Sequence, residues 1–145
     1  MTTQSEVQEA SKKFYAALSR MLNGEKGSMK NIWSHKNGAS ALQPTGANLS
    51  GWGAIEKSFD DVASICTGGK VKLGDQHIQT SDAMAFEYGN EMVSVTMAGK
   101  RAEVEQRVTN VYCKEPDGWK IMHHHVDMSP AIVEIIEGLK MHPAS

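Results

Sequence analysis

Three consecutive histidines, His123-His124-His125, are the side chains whose type and spacing most invite chemistry in this chain. An imidazole with an ordinary pKa of about 6.5 can take or give a proton near neutrality and is the commonest metal ligand. Successive side chains on a strand point to opposite faces. His123 and His125 would then share a face with Trp119 and Ile121, and His124 would sit with Met122 and Val126. Two histidines fall short of the three or four ligands a zinc site needs. Neither His35 nor His77 can be placed beside them from spacing, so the reading includes no metal and no cofactor. His124 is left as the candidate acid, base or hydrogen-bond partner of a ligand. Tyr88 is its candidate companion, facing the same interior two residues beyond Phe86. Asn110 and Tyr112 would share the inward face of the neighbouring strand, with Met122 beside His124. Trp33 and Phe59 offer an apolar wall, or simply core. Gln43, just before Pro44, carries a neutral amide suited to binding and not to proton transfer. The acids Glu87, Glu91 and Asp127 are expected at strand edges or on the outer face. Cys113 reads as an inert, half-buried thiol. Gly68-Gly69 lacks the lysine-serine continuation of a phosphate-cradling loop.

The elements that must position these groups divide the chain into a helical first half and a strand-rich second half. Val7, Ala10, Phe14, Ala17, Leu18 and Met21 recur at helical spacing, with Ser5 as N-cap and Asn23-Gly24 as the stop. A short second helix is expected around Ser28 to Trp33, then a short strand within Lys36 to Thr45. Trp52, Ile55, Phe59, Val62 and Cys66 form one stripe of a third helix, ended by Thr67-Gly68-Gly69. From Lys70 the period becomes two. Val71, Leu73 and Ile78 suggest a strand broken near Gly74-Asp75. Met84, Phe86 and Tyr88 alternate in the next, which runs on to Met97 past a bulge expected at Gly89-Asn90. Ala98-Gly99-Lys100 makes a hairpin turn. Glu115-Pro116-Asp117-Gly118 makes another, with proline and aspartate at the central positions and glycine at the exit. Trp119 to Asp127 is the last long strand, and Ser129-Pro130 opens a short helix. This is an α+β arrangement: a strongly curved antiparallel sheet wrapped around an N-terminal helical layer, with a short C-terminal helix. A cavity between sheet and helix is a common place for a small ligand.

Composition narrows the partners. The 145 residues suit one domain, residues 1–145. Fifteen basic residues against seventeen acidic give a formal net charge of −2, too little positive field to hold nucleic acid or an anionic membrane. No apolar run approaches the ~20 residues of a membrane span. The polar, acidic start does not read as a signal or transit peptide. Two cysteines are too few for a secreted disulfide scaffold, so a cytoplasmic chain with reduced thiols is expected.

The segment Arg107-Val108-Thr109-Asn110-Val111-Tyr112, followed by Lys114-Glu115, Asp117-Gly118-Trp119-Lys120-Ile121 and the histidines, resembles the closing hairpin of SnoaL-like domains in the nuclear-transport-factor-2-like superfamily. Its Trp-to-His part is also similar to the association domain of calcium/calmodulin-dependent protein kinase II. Gly51-Trp52-Gly53-Ala54-Ile55 resembles the opening of the superfamily's third helix. The resemblance implies a cystatin-like cone with a pocket, a homodimer formed through the sheet, and no single activity. It also implies that His124 faces the cavity. The ketosteroid isomerase set does not carry over. Its base, an aspartate before proline, falls on Gln43; its helix-one tyrosine falls on Phe14, with Tyr15 about 100° round the helix. Its acid falls within Arg107 to Asn110, which holds no carboxylate. A dehydratase set would lack an inward aspartate. Where the kinase association domain has an arginine that helps bind acidic ligands, this chain has Val126. The expected function is a pocket for a small apolar or mixed-polarity organic ligand, extending to lyase- or isomerase-like chemistry. The alternative is a non-catalytic association module.

Overall fold

The computed structural model describes residues 2–141. Helix α1 runs Thr3–Met21 and is capped by Thr2, whose hydroxyl accepts from the Ser5 N–H at 3.1 Å. Thr2, not Ser5, is therefore the N-cap. The buried stripe of α1 is wide enough to take both Phe14 and Tyr15, together with Val7, Ser11 and Leu18. Residues 25–32, expected to hold a second helix, form turns instead. Gly24 and Gly27 sit at positive φ there. The segment docks on the sheet: Ser34 N–H donates to the Ile121 carbonyl at 2.8 Å, and Ile121 N–H to that of Ile32 at 3.1 Å. That places Trp33 against Phe14 and Phe59 in the core.

Strands β1 (Ser40–Leu42) and β2 (Asn48–Ser50) precede helix α2 (Trp52–Ala63). Ile55, Phe59 and Ala63, four apart, are its buried face. The helix stops before Cys66, which opens β3 (Cys66–Thr80). Gly68 and Gly69 thus belong to a strand with an irregular register and do not end a helix. Gly69 is required by packing: a Cβ there would lie 2.5 Å from Leu22 Cβ. Strands β4 (Met84–Met97), β5 (Lys100–Glu115) and β6 (Gly118–Val126) complete one curved six-stranded sheet, ordered β2-β1-β6-β5-β4-β3. Every neighbour is antiparallel except β1 and β6, which run parallel, so the sheet is mixed and not purely antiparallel. Ala98 and Gly99, both at positive φ, form the two-residue turn between β4 and β5. Helix α3 (Pro130–Met141) buries Ile132 and Ile135, and the Ser129 N–H donates to the Pro44 carbonyl at 3.0 Å.

Two register facts decide which side chains reach the interior. Strand β4 pairs with β5 without a break, so one parity holds throughout: Ala85, Glu87, Glu91, Val93, Val95 and Met97 are buried. Met84, Phe86, Tyr88 and Met92 lie on the outer face at 43–48% exposure, the reverse of the expected orientation. The bulge expected at Gly89-Asn90 lies across the strand pair, in β3 between Gly74 and His77. Strand β6 does contain an irregularity. Val111 pairs with His123 but Tyr112 with Ile121, leaving Met122 as the extra residue. That shift turns both Ile121 and His124 inward, although simple alternation separates them.

Candidate functional site

The register aligns one polar row across the inner face: Glu87 on β4 opposite Asn110 on β5, opposite His124 on β6. A second row sets Glu91 opposite Gln106. All five are buried. Glu87 and Glu91 are therefore interior groups, contrary to the sequence-based expectation.

These rows are tied by a hydrogen-bond chain with one direction. Both N–H bonds of the Asn110 amide are used, one to the Tyr15 hydroxyl and one to Glu87 Oε1, each at 3.0 Å. Turning the amide over would set its oxygen against the Glu87 carboxylate, so Oδ1 is the atom that faces His124 Nδ1 at 2.6 Å. His124 must carry its proton on Nδ1 and donate it to Asn110. Tyr15 passes the chain on, donating to Glu91 Oε2 at 2.8 Å. The order is His124 to Asn110 to Tyr15 to Glu91, and bonds aligned in this way polarise one another. Glu87 anchors the side, accepting from Ser11 at 2.9 Å, from Gln76 at 2.8 Å and from the Tyr112 hydroxyl.

Burial sets the charges. It pushes the His124 imidazole down to about 3, with small additions from His123 and His125, so the ring is neutral. It pushes the Glu91 carboxyl up to about 7. Bonds from Gln106 and Tyr15 hold it back, and nearby Glu87 pushes it further. Burial first, and the neighbouring carboxylates next, keep Tyr15 and Tyr112 well above the ordinary phenol range.

Both ends of the chain, the His124 ring and Glu91, line one cavity of about 70 Å³. Its other walls are mainly apolar: Leu18 and Met21 from α1, Phe59 and Val62 from α2, Val93 and Val95 from β4. Pro44, Thr45 and Ile132 of α3 contribute from the side where Ser129 ties α3 to the 43–47 loop. Gln43 also lines it; its Oε1 accepts from Ser58 at 2.7 Å, which leaves the amide N–H groups free to donate. Gln106 donates to Glu91 Oε1 at 2.9 Å, while its own Oε1 is buried without a partner.

Of the residues the sequence singles out, the structure brings His124, Gln43 and Phe59 to this cavity. Asn110 stands directly behind His124, and Tyr112 one step further on, at Glu87. Trp33 is core behind Phe59, and Met122 is the bulge residue, half-buried and off the cavity wall. Tyr88 is not there: it lies on the outer face, stacked on His77 with ring centroids 4.7 Å apart. His123 bonds to Ser40 at 2.7 Å, and Arg107 pairs with Asp127 at 2.8 Å on the surface. Sequence reasoning missed Tyr15, Glu91 and Gln106. Unbroken parity running back from Val93, Val95 and Met97 would have turned Glu91 inward. Among the described residues, no group of three or more His, Cys, Asp or Glu side chains is arranged to hold a metal ion.

Comparison with known proteins gives consistent matches. The sequence model of one family, the SnoaL-like domain, matches residues 7–131. No curated protein matches significantly. Among solved structures, a candidate dehydratase of the NTF2-like family from Streptomyces avermitilis superposes with a TM-score of 0.76. It is 23% identical, over 86% of this chain and 94% of that one. A cystatin-like-fold protein from Caulobacter vibrioides gives 0.71 at 14% identity, covering 95% and 98%. The S. rosetta CaMKII hub gives 0.67 at 18% identity, covering 86% and 95%.

Proposed function

The chain belongs to the SnoaL-like domain family, and from that premise we propose that it is a small-molecule-binding protein whose cavity is equipped for proton transfer of the lyase or isomerase kind. The observation that carries this reading is the hydrogen-bond chain whose two ends open on the same cavity. A core without a ligand to meet would have no need of such a chain, because buried polar groups are costly unless satisfied. Neutral His124 turns its Nε2 lone pair away from Asn110 and can accept a hydrogen bond from the ligand. Glu91, held near neutrality, suits proton exchange with it. The role first given to Tyr88 passes to Glu91. Apolar walls suit a small apolar or mixed-polarity molecule, and the chemistry needs no cofactor. Two free thiols fit a reducing compartment such as the cytoplasm.

A second reading has its own observation. The outer sheet face exposes Met84, Phe86, Tyr88 and Met92, and adjacent apolar groups of this size commonly mark an interface. It supports a homodimer through the sheet, or a larger association like that of the CaMKII hub it resembles.

The ligand reading is tested with methyl-labelled methionine. Met21 and Met97 line the cavity and report its contents. Small apolar and mixed-polarity fragments are expected to shift those two methyl resonances in the wild type. Val95→Phe, which fills the cavity, is expected to abolish the response. If no fragment moves them, or if the filled variant responds equally, the pocket is not the functional site.

A further inference from the structure

The interior holds two carboxylates, Glu87 and Glu91, at 0% and 2% exposure. None of the ion pairs among the described residues includes either one. Buried carboxylates ordinarily find a cation or give up their charge. The two are not equally provided for. Glu87 accepts from four neutral donors, Ser11, Gln76, Asn110 and Tyr112. Glu91 accepts from two, Tyr15 and Gln106, and it alone of the pair lines the cavity.

The cavity adds two more acceptors beside Glu91. Gln106 is 93% buried, and its Oε1 has no partner. Its amide cannot turn over to find one without setting oxygen against the Glu91 carboxylate. His124 offers Nε2, because Nδ1 is committed to Asn110. The polar end of the cavity thus presents a carboxylate and two neutral acceptors, with no cation.

We infer that this end is the site of a small primary alkylammonium ion, whose three N–H groups are shared among Glu91, Gln106 Oε1 and His124 Nε2. The inference rests on the ligand-pocket reading and names its ligand class. An ammonium group has three donors and no acceptor, which matches the set one for one. A hydroxyl brings a single proton and leaves the carboxylate uncompensated. A carboxylate ligand would bring oxygen against oxygen. A divalent metal needs six or more oxygen ligands or a rigid octahedral set, which one carboxylate and one amide do not supply. The unpaired Glu91 titrates upward because no cation stands beside it.

Size limits the alkyl part. Each water needs about 10–15 Å³ by this measure of volume, so about 70 Å³ takes on the order of five non-hydrogen atoms. The n-butylammonium ion, with four carbons and a nitrogen, fits that space. Its chain would lie against Val93, Val95 and Phe59.

Calorimetric titration of the full chain with n-butylammonium, n-butanol and butyrate separates the alternatives. Butylammonium is expected to bind about tenfold or more tighter than butanol, with butyrate weakest. Glu91→Gln is expected to remove about tenfold or more of the butylammonium affinity while leaving butanol within about twofold. Gln106→Met is expected to weaken butylammonium too, and it stands in if Glu91→Gln does not fold. Butyrate binding as tightly as butylammonium, or butylammonium binding unchanged in these variants, overturns the inference. If butanol alone binds in the cavity, the ammonium assignment fails and the ligand pocket stands. If none of the three binds, the ammonium assignment fails, and the methionine-methyl experiment decides the pocket separately.

Discussion

His124 and Glu91 depart from their ordinary pKa values in opposite directions, and the stability of the protein should record both. The unfolded chain protonates His124 below its ordinary 6.5, whereas the folded chain refuses that proton until about 3. This removes stability as pH falls through that window. Glu91 does the reverse. The folded chain keeps its proton up to about 7, whereas the unfolded chain loses it near 4.5, so stability falls as pH rises between them. Each slope is at most about 1.4 kcal/mol per pH unit. The two cancel between about pH 4.5 and 6.5, where wild-type stability is expected to be flat. In Glu91→Gln, only the histidine slope remains, so stability should rise from pH 4 to 6.5. In His124→Gln, only the glutamate slope remains, so it should fall over the same range. Urea unfolding at a series of pH values reads these slopes. Identical profiles for the three proteins would contradict the buried pair.

At the scale of elements, the close approach of β3 and β4 makes a sharp demand on Gly89. A Cβ there would stand 2.5 Å from the Gly74 carbonyl oxygen and 3.2 Å from that of Asp75, and backbone cannot yield as a side-chain tip can. Gly89→Ala is expected to cost about 1–3 kcal/mol. Gly138, in α3, has nothing within 4 Å of a Cβ, and Gly138→Ala should gain about 0.5–1 kcal/mol from helix propensity. Chemical unfolding measures both; a neutral Gly89→Ala would show that the strands are not so close. The same elements explain what could be read beforehand. α1, α2, both hairpin turns and α3 announce themselves by period, glycine or proline. The inner face of β4 did not, because its outer residues are the more apolar: Met84, Phe86 and Tyr88 out, Ala85 and Glu87 in. Alternation reveals two faces, but hydrophobicity here marks the wrong one as core. The bulge at Met122 carries no glycine to mark it, so the true neighbours of His124 emerge only from the pairing of β5 with β6. His124, Asn110 and Gln43 could be picked out as single residues. The chain linking them to Tyr15 and Glu91 could not, since it depends on contacts as far as 95 positions apart.

The whole molecule offers two surfaces with separate uses, a cavity inside the sheet and an apolar patch outside it. If the patch joins copies of the chain, Phe86→Lys should convert the assembly to monomers in sedimentation while leaving the cavity and its methyl reporters unchanged. A sedimentation profile equal to wild type would remove the sheet face from assembly. No helix among the described residues is long and apolar enough to cross a membrane. The interior carries the central claim, that a neutral His124 locked by Asn110 turns a bare nitrogen to a ligand cavity. Nitrogen-detected NMR of the His124 ring tests this most directly. From pH 5 to 8, the expected result is one neutral tautomer, protonated at Nδ1, with an Nε2 resonance that moves when a fragment enters the cavity. A ring that titrates near its ordinary 6.5, or that carries its proton on Nε2, would contradict the account.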